Sequence, residues 1–368
     1  MTVFNWTDKI TEDKIDYIFQ KFFKARMIEI SQYSHEINEA LPILRNIMKN
    51  DIQTLNGSDA FRNIAGIDGS NSKPIQNTFF TLYCINATAV LQYETISRPA
   101  KFLKTIELKE DWTHSFSKHV MHLERDVLEM KTYLKLTETT HPDIIFLDGS
   151  INSQALWHAR VLQQKFNPYT IVNSLQKVYN KAFNTQNGIW PKVIERLKNV
   201  CSVWLPKRTV GKSFIEGLMK THPELHLPKG ITNQIFSLIL KPNEYLGPVP
   251  FEKWVQTTTS IARKFVKEIY TVYYKPPSSN YKAVKLEFHK NFLPDLDNIL
   301  STVRQQFSVL IGEILPISWA HNCASTEKID IEELNLLIQI YAMLKEVDPK
   351  IKEIIQFLFK KLNTISLT

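Results

Sequence analysis

Apolar residues recur at helical spacing in several long stretches of the chain. Residues 1–60 include IDYIFQKFFKARMIEISQYSHEINEALPILRNIM, whose spacing predicts helices. The segment SFSKHVMHLERDVLEMKTYLKLT, roughly residues 115–137, carries an apolar stripe and a second apolar side, which predicts a helix covered on more than one face. The stretch IDIEELNLLIQIYAMLKEVDPKIKEIIQFLFKKLN is amphipathic and predicts C-terminal helices that pack on the core or form an interface.

Runs of apolar and β-branched residues predict strands between these helices. FRNIAGID predicts a strand that ends at Asp68, and TFFTLYCINATAVLQYET (residues 78–95) predicts strands joined by a turn near Asn86. HPDIIFLD (residues 141–148) is a continuous apolar run of the length expected for a buried central strand. The predicted order is strand, strand, strand, helix, strand, which indicates an α/β fold.

Two nearly identical segments, GIDGSNS (residues 66–72) and FLDGSINS (residues 146–153), each place an aspartate after an apolar strand. One such segment alone is more often a turn in which the aspartate binds its own backbone. Two of them, flanking a helix that carries glutamates, predict that Asp68, Asp148 and a glutamate converge. Three carboxylates repel one another unless a cation lies among them, and oxygen ligands suit Mg²⁺ or Mn²⁺. The pattern therefore predicts a site for two-metal phosphoryl transfer.

Two glutamates of the predicted helix compete for the third position in this cluster. Glu124 borders the main apolar stripe, and periodicity slightly favours it. Glu129 lies on the second apolar side, near Tyr133 and Leu136. A solvated surface role is the alternative for either residue, so the pattern alone leaves the choice open.

Composition bears on the binding partner and the cellular location of the protein more than on its fold. The 368 residues carry a formal net charge of +8, which favours a polyanion such as nucleic acid without requiring one. The three cysteines are widely spaced and form no CxxC, so neither a disulfide framework nor a zinc site is predicted. The sequence shows no signal peptide and no apolar run of membrane-spanning length, which predicts a soluble, cytoplasmic protein with no membrane partner.

Several segments, taken together, resemble the NurA nuclease family. They occur in the family's order: AGIDGS (65–70), RDVLEM (125–130), DIIFLDGSI (143–151), ITNQIFSLILKPNEY (231–245), IYTVYYK (269–275), KAVKLEF (282–288) and LPISWAHNCAST (315–326). The resemblance implies an α/β fold with an RNase H-like mixed central sheet flanked by helices, with helical elaborations at both ends. It divides the chain into a helical extension (1–60), a nuclease domain with insertions (61–330) and C-terminal amphipathic helices (331–368).

The resemblance also implies roles for individual residues. The family pattern of arginine, three residues and glutamate falls on Arg125 and Glu129, so it selects Glu129 as the helix ligand. Tyr274 corresponds best to an active-site tyrosine, with Tyr273 as the alternative and core packing as an equal possibility. A lone histidine is usually structural, but the resemblance implies that His321 binds metal, holds the scissile phosphate or moves a proton. The implied ligands of Mn²⁺ or Mg²⁺ are Asp68, Glu129, Asp148 and His321.

The resulting hypothesis is a metal-dependent nuclease that hydrolyses phosphodiester bonds by two-metal catalysis. The resemblance implies single-stranded DNA and duplex ends as substrates, cut by single-strand endonuclease and end-resecting exonuclease activities. It further implies a homodimer that works with a hexameric HerA-type ATPase in DNA end processing, repair or defence. Two alternatives stay open: a non-catalytic nucleic-acid-binding scaffold of the same fold, and a metal-dependent phosphohydrolase of small nucleotides.

Overall fold

A computed structural model describes thirteen stretches of the chain: residues 25–72, 74–76, 81–93, 101–111, 118–151, 178, 181–182, 188–206, 213–222, 235–250, 267–277, 282–308 and 310–325. The α-helices are α1 Ala25–Ile47, α2 Lys118–Thr139, α3 Ile189–Leu197, α4 Ser213–Thr221, α5 Phe236–Ile239, α6 Leu296–Gln306 and α7 Leu315–Ala324. The strands are β1 Ile52–Thr54, β2 Ile64–Asn71, β3 Ile75–Gln76, β4 Thr81–Gln92, β5 Lys101–Asp111, β6 Ile144–Asp148, β7 Ser202–Leu205, β8 Glu244–Pro250, β9 Ile269–Tyr274, β10 Val284–His289, β11 Phe307–Ser308 and β12 Glu313–Ile314.

The chain divides into two compact units, each made of three segments. The first unit contains Met1–Phe61, Asp148–Ala159 and Cys201–Leu315. The second unit contains Arg62–Leu147, Arg160–Val200 and Pro316–Thr368. The predicted extension (1–60) includes α1 and also the short strand β1, which pairs with β8. The predicted C-terminal helices (331–368) lie outside the described residues, and the three domain boundaries stay a prediction.

A mixed sheet forms the centre of the second unit. Strand β2 pairs antiparallel with β4 over its whole length and parallel with β6, with Ile64 opposite Ile144 and Ile67 opposite Leu147. Strand β4 also pairs antiparallel with β3 and β5. Helix α2 packs against β2, β4 and β5, and α3 packs against α2. Helix α3 buries Trp190, Val193 and Leu197, three residues at helical spacing.

The first unit is built on an antiparallel sheet in the order β1-β8-β9-β10-β7. Its hydrophobic core joins α1 to α5, β8 and β9, through residues such as Leu44, Phe236 and Tyr273. Arg45 of α1 forms a two-pronged ion pair with Glu244 at the start of β8, with N–O distances of 2.7 and 2.9 Å. This geometry suits a guanidinium and a carboxylate, and it fixes α1 to the sheet.

Two sequence-based expectations about strands are wrong in detail. Strand β2 does not end at Asp68 but continues to Asn71, because Gly69, Ser70 and Asn71 keep their pairing with β4. Asn86 does not form a turn; it lies inside β4, and the next long strand, β5, pairs with β4 in place of the predicted hairpin. Three long strands still precede the helix and one strand follows it, but the third of them, β5, lies at Lys101–Asp111, outside the predicted hairpin. Strand β6 ends at Asp148 as expected.

No helix within the described stretches combines the length and apolar character needed to cross a membrane.

Helix α7 packs directly on strand β2 of the second unit. At Gly66, a Cβ atom would lie 2.3 Å from the backbone carbonyl carbon and oxygen of Pro316 and 2.8 Å from the backbone nitrogen of Ile317. No other amino acid fits this distance, because backbone atoms of a helix cannot move aside independently. Gly66 therefore sets how closely the start of α7 approaches the sheet.

We expect Gly66→Ala to lower the free energy of unfolding by about 1–3 kcal/mol, because the added methyl group overpacks the contact with α7. Urea denaturation monitored by circular dichroism measures this loss. A change below about 0.5 kcal/mol, within the usual range of surface substitutions, would contradict the close packing.

Candidate functional site

Helix α7 brings His321 to Asp68. The Nδ1 atom of His321 lies 2.6 Å from Oδ2 of Asp68, and the other carboxylate oxygen of Asp68 accepts from the backbone N–H of Gly69 at 2.7 Å. The Asp68 side chain is 5% exposed and that of His321 is 52% exposed. In the neutral ring, an Nδ1–H that donates to the carboxylate makes Nε2 the basic nitrogen. Asp68 thus orients a histidine whose ring reaches solvent.

Alternate residues of β2 hold α7 along its length. Gly66 contacts the start of the helix, Asp68 contacts His321, and Ser70 donates its hydroxyl to the carbonyl of Ala324 at the helix end. Residues two apart in a strand share one face and four positions span about 13 Å. Eight positions of an α-helix, from Pro316 to Ala324, span about 12 Å. The two lengths are nearly equal, so the strand and the helix can make all three contacts at once.

A second strand contributes to the same helix end. The side-chain amide of Asn86 donates to the carbonyl of Ala324 at 3.0 Å, and Asn86 is directly opposite Ser70 in the β2–β4 pairing. The last carbonyl groups of a helix have no partner within the helix. Ser70 and Asn86 supply such partners from the sheet, one turn beyond His321. The sequence pattern missed both residues as parts of the site.

Glu129 reaches the same strand from helix α2. A Cβ atom on Gly69 would lie 2.3 Å from Oε1 of Glu129, so the carboxylate occupies space that only a glycine leaves open. Gly69 follows Asp68 directly, and its N–H binds the Asp68 carboxylate. Glu129 is itself buried, with 5% of its surface exposed. Glu129 and Asp68 therefore adjoin the same backbone position.

Glu124, the alternative ligand, lies against other partners. Its carboxylate accepts from the hydroxyl of Tyr83 at 2.5 Å and lies 3.8 Å from Nζ of Lys109. These contacts explain why Glu124 borders the apolar stripe of α2: a polar partner on β4 lets a carboxylate lie beside that stripe. The geometry favours Glu129 over Glu124 as the neighbour of Asp68, and its function as a ligand stays a prediction.

Asp148 and Tyr274 fall in the first unit, whereas Asp68, Glu129 and His321 are in the second. Asp148 is half-buried at the end of β6, directly after Leu147, which pairs with Ile67. The hydroxyl of Ser150 lies 2.8 Å from both carboxylate oxygens of Glu287 and donates to this fully buried group. The turn after Asp148 is therefore fixed to β10, a contact that no sequence pattern indicated.

Tyr274 is fully buried within the first unit. Its hydroxyl donates to the side-chain oxygen of Asn243 at 3.2 Å. Burial raises the pKa of Tyr274 to about 12, with the charge of Arg304 acting in the opposite direction. The phenol is therefore neutral near pH 7, where it can form hydrogen bonds but cannot act as a base. Tyr273 faces the core of its unit, with its ring centroid 4.6 Å from that of Phe236.

Within the stretches that the structure describes, no three or more His, Cys, Asp or Glu side chains are placed together to hold a metal ion. The donors of the second unit nevertheless suit a hard divalent cation, because Asp68 and Glu129 present oxygen atoms from buried carboxylates at Gly69. The guanidinium of Arg125 lies against one of these carboxylates, with Nε 3.2 Å from Oε1 of Glu129. A positive charge thus already occupies part of this environment.

Comparison with solved structures identifies the fold. The NurA nuclease from Sulfolobus solfataricus aligns with a TM-score of 0.58 at 12% identity, over 92% of this chain and 100% of that chain. NurA bound to dAMP and manganese aligns with a TM-score of 0.54 at 14% identity, over 87% of this chain and 96% of that chain. A further NurA structure gives 0.55 at 14% identity, over 91% and 100%.

No protein-family model matches the chain, and no curated protein sequence does. The fold itself is nevertheless defined: the chain has the α/β fold of the NurA nucleases, with a mixed sheet flanked by helices. The predicted resemblance to NurA and the predicted fold class are therefore confirmed.

We expect Gly69→Ala to displace the carboxylate of Glu129, because the new methyl group would occupy its position. The obstacle is the end of a side chain, not a backbone, so the free energy of unfolding should fall less than in Gly66→Ala. A crystal structure of the variant and urea denaturation of both variants test this pair of expectations. An unmoved Glu129 carboxylate would show that the contact with Gly69 is wrong.

We expect Tyr274→Phe to reduce the loss of stability at alkaline pH. The folded-state pKa of Tyr274, about 12, lies above the ordinary value of about 10, so the stability linked to this phenol is complete below pH 10 and is lost as pH rises towards 12. Between pH 8 and pH 11 the wild type should lose about 1–1.5 kcal/mol more than the variant. Urea denaturation at both pH values measures the difference. Tyr93→Phe, which removes an exposed phenol, is the control, and equal losses in wild type and Tyr274→Phe would refute the raised pKa.

Proposed function

We propose that this chain is a metal-dependent nuclease that hydrolyses phosphodiester bonds in DNA. The observation that carries the proposal is the contact between Asp68 and His321, made beside Glu129 in a chain with the NurA fold. A buried carboxylate, a second buried carboxylate and a solvent-reaching imidazole at one strand are typical of phosphoryl-transfer sites. The net charge of +8 agrees with a polyanionic substrate.

Asp68 and Glu129 are the residues of the second unit that we propose as metal ligands. One similar structure, NurA bound to dAMP and manganese, supports a divalent cation and a nucleotide phosphate as the chemistry of this fold. Bound Mn²⁺ or Mg²⁺ would supply a Lewis acid for the phosphodiester and lower the pKa of the attacking water. Asp148 is the predicted third ligand, and Ser150 and Glu287 fix the turn that follows it.

His321 has a separate role in the proposal. With Nδ1–H donated to Asp68, the ring presents Nε2 as the atom that accepts or returns a proton. Such an orientation by a carboxylate fixes both the tautomer and the direction of the ring. His321 can therefore hold the scissile phosphate in its protonated form or move a proton at Nε2. Direct metal binding by His321, which the resemblance implies, stays a prediction, as does the contact of Tyr274 with substrate.

The resemblance also leads us to propose a homodimer and a hexameric HerA-type ATPase as partner. Sedimentation velocity of the chain alone, and of the chain mixed with such an ATPase, tests both proposals. A monomer at micromolar concentration would contradict the first, and separate sedimentation of the two proteins would contradict the second. End-resecting exonuclease activity, single-strand endonuclease activity and a function in repair or defence are parts of the same proposal.

The central test is cleavage of labelled single-stranded and double-stranded DNA with Mn²⁺, Mg²⁺ or EDTA. We expect cleavage with a divalent cation and none with EDTA. Asp68→Asn, Glu129→Gln and Asp148→Asn should each lower the rate by at least about 100-fold, because loss of a ligand should cost no less than the 10- to 100-fold typical of residues that only support ligands. Glu138→Gln removes an exposed carboxylate from the same helix as Glu129 and is the matched control.

Three other results would change the proposal in different ways. DNA binding without cleavage in either cation would replace the nuclease with a non-catalytic nucleic-acid-binding scaffold. Inhibition of DNA cleavage by equimolar small nucleotides would indicate a phosphohydrolase of small nucleotides. Full activity in Asp148→Asn, with loss in Asp68→Asn and Glu129→Gln, would remove Asp148 alone from the ligand set.

A further inference from the structure

Arg125 places a positive charge among the acidic residues of α2. Its Nη2 atom donates to Oδ1 of Asp126 at 3.0 Å, and its Nε lies 3.2 Å from Oε1 of Glu129. The side chains of both acids are only 7% exposed, whereas that of Arg125 is 29% exposed. Buried carboxylates of this kind are costly unless a cation accompanies them. Arg125 is such a cation.

Helix stability alone does not account for this arrangement. An arginine that precedes its glutamate by four positions has the less favourable order for an isolated helix. The Glu129 carboxylate also points at Gly69 of β2, next to Asp68, and not along the solvent face of α2. Burial lowers the pKa of Arg125, but the charges of Glu129 and Asp126 and, to a smaller extent, that of Asp68 raise it above its ordinary value. The guanidinium therefore interacts electrostatically with Asp68 and Glu129, two of the carboxylates proposed as metal ligands.

We propose that Arg125 is a positioning residue that sets the metal affinity of the site. It holds the Glu129 carboxylate at Gly69 before a cation binds, and its charge opposes the binding of that cation. The inference rests on the metal-dependent function proposed above. It goes further in assigning to one residue of this chain the control of how tightly the metal is held.

The sign of the effect follows from Coulomb's law. A divalent cation near Asp68 and Glu129 would lie within several ångströms of the guanidinium, and like charges at this distance repel by amounts that correspond to one or two powers of ten in affinity. Removal of the charge should therefore tighten metal binding. In the absence of metal, the same change should destabilise the fold, because Glu129 and Asp126 lose a buried partner.

The test compares Mn²⁺ binding by isothermal titration calorimetry in the full-length wild type, Arg125→Gln and Arg125→Lys. Glutamine keeps a hydrogen-bond donor for the carboxylates but loses the charge, so we expect Mn²⁺ to bind about 10- to 100-fold more tightly. We also expect a lower melting temperature in EDTA. Lysine keeps the charge, so Mn²⁺ affinity should stay within about threefold of the wild type. A merely structural role would not produce this difference between the two variants.

Lys131→Gln is the matched control, because Lys131 lies on the same helix, is half-exposed, and pairs with Glu107 of β5 at 3.0 Å instead of with Glu129. We expect no change in its Mn²⁺ affinity. Equal or weaker Mn²⁺ binding in Arg125→Gln would overturn the inference and leave the proposed nuclease intact. If Arg125→Gln does not fold in EDTA, the Arg125→Lys measurement decides, and a tenfold change there overturns the inference. A wild type that binds no Mn²⁺ would overturn both proposals.

Discussion

The docking of helix α7 along strand β2 is the constraint on which the candidate site depends. Three residues of one strand face, Gly66, Asp68 and Ser70, contact the beginning, the middle and the end of the helix. Because the first contact is between backbones and the last is a hydrogen bond to a helix carbonyl, the position of the helix is determined at both ends. The Asp68–His321 contact lies between the Gly66 and Ser70 contacts, and these two contacts determine its geometry.

The repeated segment of the sequence receives two different explanations. In the first copy, the serine binds the end of α7, and in the second copy Ser150 binds Glu287 of β10. Asp68 also accepts from the N–H of Gly69, the backbone contact expected of such a segment, although the chain continues here as strand β2 and does not turn. The glycine after Asp68 admits the Glu129 carboxylate. A short polar sequence can thus bind the backbone, a neighbouring element and a proposed ligand at once.

Local pattern predicted strands β2 and β6 and helix α2 of the second unit, but it indicated no strand at β5 and was wrong at Asn86, where a contact distant in sequence determines the structure. Apolar runs identified β2, β4 and β6, because strands covered on both faces require them. Asn86 indicated a turn, but it lies inside a strand, where its side-chain amide donates a hydrogen bond to the carbonyl of Ala324, 238 positions away. Periodicity favoured Glu124, since it could not reveal that Tyr83 accompanies that carboxylate. Family resemblance selected Glu129 instead. The same pattern also contained Arg125, but its contacts with Glu129 and Asp126 are visible only in the structure.

The separation of Asp68 and His321 by 253 positions has a consequence for biosynthesis. A ribosome that adds about 5–20 residues per second needs about 13–50 s to travel from one to the other. During this interval β2 exists without its helix, and Asp68 has no imidazole to orient.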